Sequence, residues 1–410
     1  MPQNGGMNSE DIDRIETWLV AAGLAGKAEN KLLNGFCERC RAAGLELSRA
    51  ITFIDTLHPI YEGRGFRWRD DVTEEKPVFE YGRTNEGPAA KNWQRTAFHH
   101  LLATGADEIR RRIGHGDPVD FSSLEELKAE GHTDYVALIH RLDRDGPIGG
   151  MDCVYSSWAT RRPEGFAGED LAALRRLMPV LALSIKSASL ARIAGTLVDV
   201  YLGRDAGQRV LSGRISRGVA DRISAVLWFS DLRGYASIAD RASPDEIIPL
   251  LNDYADLVIS AIHAEGGDVL KLIGDGTLAI FKADEPGEAC RRALRAEAAL
   301  RRALADLNRR RAAENRPVTS VYLGLHIGEV FYGNIGSDDR LDFTVVGPAV
   351  NEVSRIASMC RSLDRHMLLS AAFAAATPTV ERADLVCVGR YALRGVGRAQ
   401  ELFTLDPALL

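Results

Sequence analysis

Runs of apolar residues divide this chain into stretches with different expected structure. Ser9 to Leu24 and Lys31 to Ala43 read as helices, and short segments around Ile51 to Ile54, Val78 to Gly82 and Tyr135 to Leu142 read as strands. A helix is predicted from Glu169 to about Ser187, after a strand-like run through Val154 and a Pro163-Glu164-Gly165-Phe166 connection. Farther on, Ala225 to Phe229 is continuously apolar, the pattern of a strand covered on both faces, and it breaks at Ser230-Asp231. Asp268 to Ile273 and Thr277 to Phe281 predict a hairpin whose tip, Gly274-Asp275-Gly276, carries an aspartate between two glycines.

Leu190, Ile193, Leu197 and Val200 follow a 3-4-3 spacing, one stripe of a helix. Because this stripe joins two regions of different pattern, it is expected to pair with its counterpart in a second copy rather than with its own domain. Gly203-Arg204-Asp205-Ala206-Gly207 should break the helix, and Val210 to Ile215 should lead onward. The expected organisation is a domain over 1–180, a helical linker over 181–219 and a second domain over 220–410, with no internal repeat or low-complexity tract.

Composition narrows the picture. A chain of 410 residues has room for two or three cores, and 26% charged with 46% apolar residues is ordinary for a soluble protein. A net charge of −6 argues against a general nucleic-acid binder, so any polyanion site must be local. No continuous run of about twenty apolar residues is present, and the first residues lack the basic flank and apolar core of a signal peptide. A cytoplasmic protein without a membrane span is therefore expected. The six cysteines suit reduced thiols, and Cys37 and Cys40 read as buried thiols on one helical face rather than half of a zinc site.

Candidate chemistry centres on Asp231 and Asp275. Each lies at the end of an apolar strand beside a tight turn, where two carboxylates can hold divalent cations against a triphosphate. Backbone amides of the turn after Asp231, through Leu232, Arg233, Gly234 and Tyr235, can cradle phosphate. Ser243-Pro244-Asp245-Glu246 then starts a helix expected to reach Ile259.

Four ordered segments carry a more specific signal: Phe229 to Tyr235, Gly266 to Gly276, Gly324 to Gly336 and Asp342 to Arg355. Together they resemble the catalytic domain of class III adenylate/guanylate cyclases, over nearly half of the chain. The resemblance implies an α/β (α+β) fold with a ferredoxin-like βαββαβ core. It implies the making of 3′,5′-cyclic AMP and pyrophosphate from ATP, with two Mg²⁺ or Mn²⁺ per site held by Asp231, Asp275 and the Leu232 carbonyl. Lys271 and Thr344 would read the purine: an ammonium can only donate, which suits adenine N1, and a hydroxyl can accept from the exocyclic amine. Asn351 would orient the ribose, Arg355 would stabilise charge on the α-phosphoryl group, and Arg394 would hold the β- and γ-phosphates. In this family the site is built across two chains, so a homodimer is implied, with one copy supplying the aspartates and the other the remaining groups.

The pattern departs from the family at Pro348-Ala349 and at Glu352-Val353, beside Asn351. His326 reads as a structural histidine of a core strand. A nucleotide-binding regulator without turnover, a guanylate cyclase and, from Gly266-Gly267-Asp268, a diguanylate cyclase are the alternatives; Val269-Leu270 and Asn351 with Arg355 do not fit the last. The end of the first domain resembles a GAF domain, a sensor for an unidentified small-molecule or protein ligand. His99 and His100 could hold haem and Trp93 could line a pocket, but a helix with two partly exposed histidines is the favoured reading.

Overall fold

A computed structural model describes residues 7–71, 77–142, 148–406 and 408, which form two compact units divided between Leu197 and Val198. The first unit contains helices α1 (Ser9–Leu24) and α2 (Glu29–Ala42), strands β1 (Arg49–Asp55), β2 (Gly63–Arg69) and β3 (Val78–Tyr81), and helices α3 (Gly87–Gln94) and α4 (Ala97–Thr104). It continues with β4 (Glu108–Arg111), α5 (Leu124–Ala129), β5 (Asp134–Arg141), β6 (Cys153–Thr160) and the long helix α6 (Gly168–Leu202). Its sheet runs β3-β2-β1-β6-β5-β4, and every neighbouring pair is antiparallel.

Alternation along the central strands splits this unit into two cores. Ala50 and Ile54 of β1 and Val154 and Trp158 of β6 face α1, α2 and α6, while Tyr155 and Ala159 of β6 face α4 and α5. Cys37 and Cys40 are fully buried in the first core, where burial pushes both thiols above their ordinary range. Helix α6 corrects the expected stop near Ser187: the single glycine between that residue and Gly203, Gly195, does not interrupt it, and the helix runs on to Leu202 with Pro179 inside it. The expected pairing stripe is only partly free in the single chain. Ile193 is buried in the first unit's core, Leu190 and Leu197 pack against the same core, and Val200 is exposed. Those side chains gain their burial within the unit. The stretch 181–219 is thus shared between the two units.

The second unit opens with α7 (Arg204–Leu211), β7 (Ala220–Leu232), α8 (Tyr235–Ala239), α9 (Pro244–Ala264), β8 (Asp268–Ile273), β9 (Gly276–Lys282) and α10 (Pro286–Ala313). Then come β10 (Val321–Gly336), β11 (Leu341–Val346), α11 (Pro348–Ser362), β12 (Met367–Ser370), α12 (Ala371–Ala376), α13 (Thr379–Arg382), β13 (Leu385–Tyr391) and β14 (Gln400–Leu405). Strands β10-β7-β9-β8 lie side by side with antiparallel neighbours, and α9 and α10 make the crossovers. That order is the ferredoxin-like βαββαβ arrangement. β12, β14 and β13 extend the sheet beyond β10, and β11 pairs with the far end of β10.

The apolar run in β7 is covered on both faces. Val226 and Trp228 pack under α9 and α10, whereas Ala225 and Leu227 face β11, α11 and Ala206 of α7. Asp205 and Asp221 tie α7 to the sheet by accepting from Lys282 and Arg209 respectively. His326 is buried in β10 with its Nδ1 2.8 Å from the Ser370 hydroxyl, as a structural histidine should be. Helices α6 and α9 are, by length and composition alone, long and apolar enough to cross a membrane; 44% and 28% of their most apolar stretches are buried within the protein.

Candidate active site

The end of β7 and the tip of the β8–β9 hairpin meet. Ile273 pairs with Gly276, leaving Gly274-Asp275 as a two-residue turn, with Gly274 in the left-handed region. A side chain at Gly276 would press to 3.0 Å from the Ser230 carbonyl oxygen, so the glycine is what lets the turn reach β7. Below it, buried Trp228 donates from its indole to the Ser230 hydroxyl at 3.0 Å and fixes the strand end.

The two aspartates share one amide. The Leu232 N–H lies 3.1 Å from Asp231 Oδ1 and 3.2 Å from Asp275 Oδ2. Burial, reinforced by the neighbouring Asp275 carboxylate, raises Asp231 from its ordinary value to about 6. Neither aspartate takes part in any of the ion pairs with Lys or Arg found among the described residues. Two hard oxygen donors that repel one another and lack a cationic partner fit a divalent cation. Among the described residues no group of three or more His, Cys, Asp or Glu surrounds them, so further ligands would have to come from backbone, substrate phosphate or water.

Two amides of the turn after Asp231 are engaged within the chain. The Leu232 amide is engaged by the two aspartates, and the Arg233 amide donates to the Ser320 carbonyl at 2.8 Å. Those amides are satisfied within the chain, which leaves Gly234 and Tyr235, at the start of α8, as the turn's amides for an anion. The Arg233 guanidinium lies over Tyr322, 5.6 Å from the ring centre.

A second cluster stands at the start of α11. Asn351 and Arg355 are one helical turn apart and exposed, and Arg394 joins them across a cavity of about 830 Å³. Leu393, buried beside Ile356, anchors the loop that presents Arg394. Neither Arg355 nor Arg394 has an ion-pair partner among the described residues, so the cavity offers two free guanidinium groups to an anion. Asp231 and Asp275 line a different cavity, of about 210 Å³.

Lys271 and Thr344 form the third part. Thr344 pairs with Gly333 on β10, and the Lys271 ammonium donates to the carboxylate of Asp342, two residues before Thr344 and on the same face of β11. Asp342 opens the family-like segment that runs to Arg355 and carries no role in the resemblance. Strand alternation from Thr344 was the signal that could have found it.

Residues 220–406 match the family model of the adenylate and guanylate cyclase catalytic domain. An adenylate cyclase of Anabaena cylindrica is 33% identical over 199 residues, 48% of this chain and 37% of that protein. Adenylate cyclase 1 of Rhizobium meliloti is 28% identical over 169 residues, 40% of this chain and 25% of that protein. The chain thus spans well under half the length of these relatives. Among solved structures, the adenylyl cyclase CyaB from P. aeruginosa has a TM-score of 0.42 at 22% identity, covering 46% of this chain and 96% of that one.

Proposed function

We propose that the protein is an adenylate cyclase that converts ATP to 3′,5′-cyclic AMP and pyrophosphate at sites shared between two copies of the chain. The observation that carries this reading is the separation of charge. The carboxylates of Asp231 and Asp275 line one cavity, and the free guanidinium groups of Arg355 and Arg394 line another. One half suits cations and the other suits phosphate oxygens, and a C2 dimer joins each half to its complement twice.

The reaction forms a bond from the ribose 3′-oxygen to the α-phosphorus and breaks the bond from that phosphorus to the pyrophosphate oxygen. The 3′-hydroxyl proton goes to water. Asp231 and Asp275 of one copy, with the Leu232 carbonyl, would hold two Mg²⁺ or Mn²⁺. Such cations, when bound, make the attacking hydroxyl more acidic and offset charge on pyrophosphate. From the other copy, Asn351 orients the ribose, Arg355 holds the charge that grows on the α-phosphoryl oxygens, and Arg394 holds the β- and γ-phosphates. Lys271 donates to adenine N1 and Thr344 accepts from the exocyclic amine. The first unit acts as the sensor that regulates turnover.

A guanylate cyclase is the second reading, and Asp342 is the observation that favours it: a carboxylate beside Lys271 could accept from guanine N1–H. Purified protein with Mn²⁺ and either ATP or GTP decides. Cyclic AMP formed in excess over cyclic GMP supports the proposal; the reverse ratio replaces it with the second reading, and no cyclic product from either nucleotide removes both.

A further inference from the structure

The first unit encloses a cavity of about 600 Å³ between β1, β3, β6 and helices α3 and α4, within the size range of small-molecule sites. Its walls are aromatic. Phe53 of β1 meets Phe79, Tyr81 and Phe98 edge to face, with ring centres 5.7, 6.0 and 5.5 Å apart. On the other side Tyr155 contacts Phe98 at 5.5 Å and Trp93 at 5.7 Å. Local sequence explains how two of the rings lie flat. Gly63 and Gly65 of β2 pair with Tyr81 and Phe79, and a side chain at either glycine would overlap the facing ring at 2.0 or 2.2 Å.

Among neutral hydroxyls and the Asn92 amide, the charged groups on the described walls are all carboxylates. Asp55, Glu62 and Asp152 all line the cavity, and no Lys, Arg or His is among its described lining residues. Neighbours already supply hydroxyl donors: Tyr81 to Asp55 at 2.6 Å, Tyr155 to Asp152 at 3.2 Å and Thr84 to Glu62 at 2.5 Å. An ionised carboxylate has lone pairs left after one such bond, and with no cation among the described wall residues a positively charged ligand complements them. An anion or a nucleotide phosphate would meet three carboxylates and no counter-charge. Aromatic faces attract cations through their quadrupole, and this attraction strengthens out of water.

We infer that the first unit binds a small organic cation, a protonated amine or a quaternary ammonium, with its charge between Asp55 and Glu62 and its apolar part against Phe53, Phe98 and Trp93. His99 and His100 do not line the cavity; His100 packs on Phe121, with ring centres 5.6 Å apart. Burial holds the Asp55 carboxyl up at about 7, so a bound cation would also draw a proton off it.

Calorimetric titration of the full-length chain tests this without reference to nucleotide turnover. Benzyltrimethylammonium and tetramethylammonium serve as cationic probes, and benzoate and benzyl alcohol as anionic and neutral controls. Saturable binding of benzyltrimethylammonium is expected, at least about tenfold tighter than either control. Asp55→Asn should weaken it by about tenfold and Trp93→Leu by several-fold, with unchanged circular dichroism. The Trp93 variant, on the half-exposed helix α3, keeps the test decisive if the Asp55 variant does not fold. Absence of saturable binding by both cations overturns the inference, as does benzoate binding as tightly or a folded Trp93→Leu variant binding like the parent.

Discussion

The Lys271 ammonium is held by the Asp342 carboxylate, which links the strand that leads to the catalytic hairpin with the strand that carries Thr344. Both partners are part-exposed, so the pair contributes less than about 1 kcal/mol to stability. Its proposed value is in aim: Asp342 points Lys271 at the base. Asp342→Asn should raise KM for ATP several-fold and leave the melting temperature nearly unchanged. Unaltered KM would show the pair to be a surface contact. The double change Lys271→Glu with Thr344→Cys should lower the ratio of ATP to GTP turnover by at least about tenfold, since the donor-only ammonium becomes an accepting carboxylate and the accepting hydroxyl is lost.

Asp231 and Asp275 repel one another in the absence of a cation, and this has a stability signature. Asp231 titrates near 6 in the folded chain against about 3.9 in an unfolded one. Its ionisation therefore costs stability as pH rises through that window, and the cost is fully present above pH 6. Asp231→Asn should then stabilise the metal-free protein at pH 8, by about 1 kcal/mol after allowing for solvent screening of its exposed side, with the gain vanishing toward pH 4. The same variant should lose cyclase activity and the rise in melting temperature that Mn²⁺ gives the parent. Retained turnover in both Asp231→Asn and Asp275→Ala would remove the metal assignment.

A site divided between two copies makes a prediction that a site within one chain does not. Asp275→Ala and Arg355→Ala should each be nearly inactive, the second through kcat by roughly 10² to 10³. Mixed in equal amounts, half of the dimers carry one chain of each kind, and each of these has one intact site. Activity should recover to about one quarter of the parent's. A mixture as inactive as its components would show that each chain builds its own site.

Much of this was legible in the sequence where local pattern and tertiary role agree. The apolar run of β7 and the glycine-flanked tip at Asp275 gave strand, turn and carboxylates together. Strand β2 was not legible: it reads Gly-Arg-Gly-Phe-Arg-Trp-Arg, and its glycines are there to admit Tyr81 and Phe79 of its neighbour rather than to make a turn. The stripe through Ile193 was correctly helical, but periodicity says which residues share a face and not which surface covers it. Alternation from Thr344 places Asp342 on the right face, but its pairing with Lys271, like the aromatic cavity, is not local. Each is made by segments far apart in sequence, and only the sheet brings them together.

His326 offers a last test, in acid. It is buried between β10 and α12, with Nδ1 2.8 Å from the Ser370 hydroxyl, which also accepts from the Phe373 amide at 3.1 Å. Burial lowers its pKa to about 4. Below its unfolded value of about 6.5 the unfolded chain takes up a proton that the folded chain refuses, so stability falls as pH drops from 6.5 toward 4, by on the order of 3 kcal/mol. Glu352, 3.7 Å away and raised by its own burial, is protonated earlier in the folded chain and works in the opposite sense. Urea midpoints of the parent and of His326→Gln between pH 7 and 4.5 separate this contribution from the general titration of carboxylates. The variant should be less stable at pH 7, where the parent's histidine is neutral and well packed, and should lose less on acidification. If both proteins lose stability in parallel, His326 is not the group that limits the fold in acid.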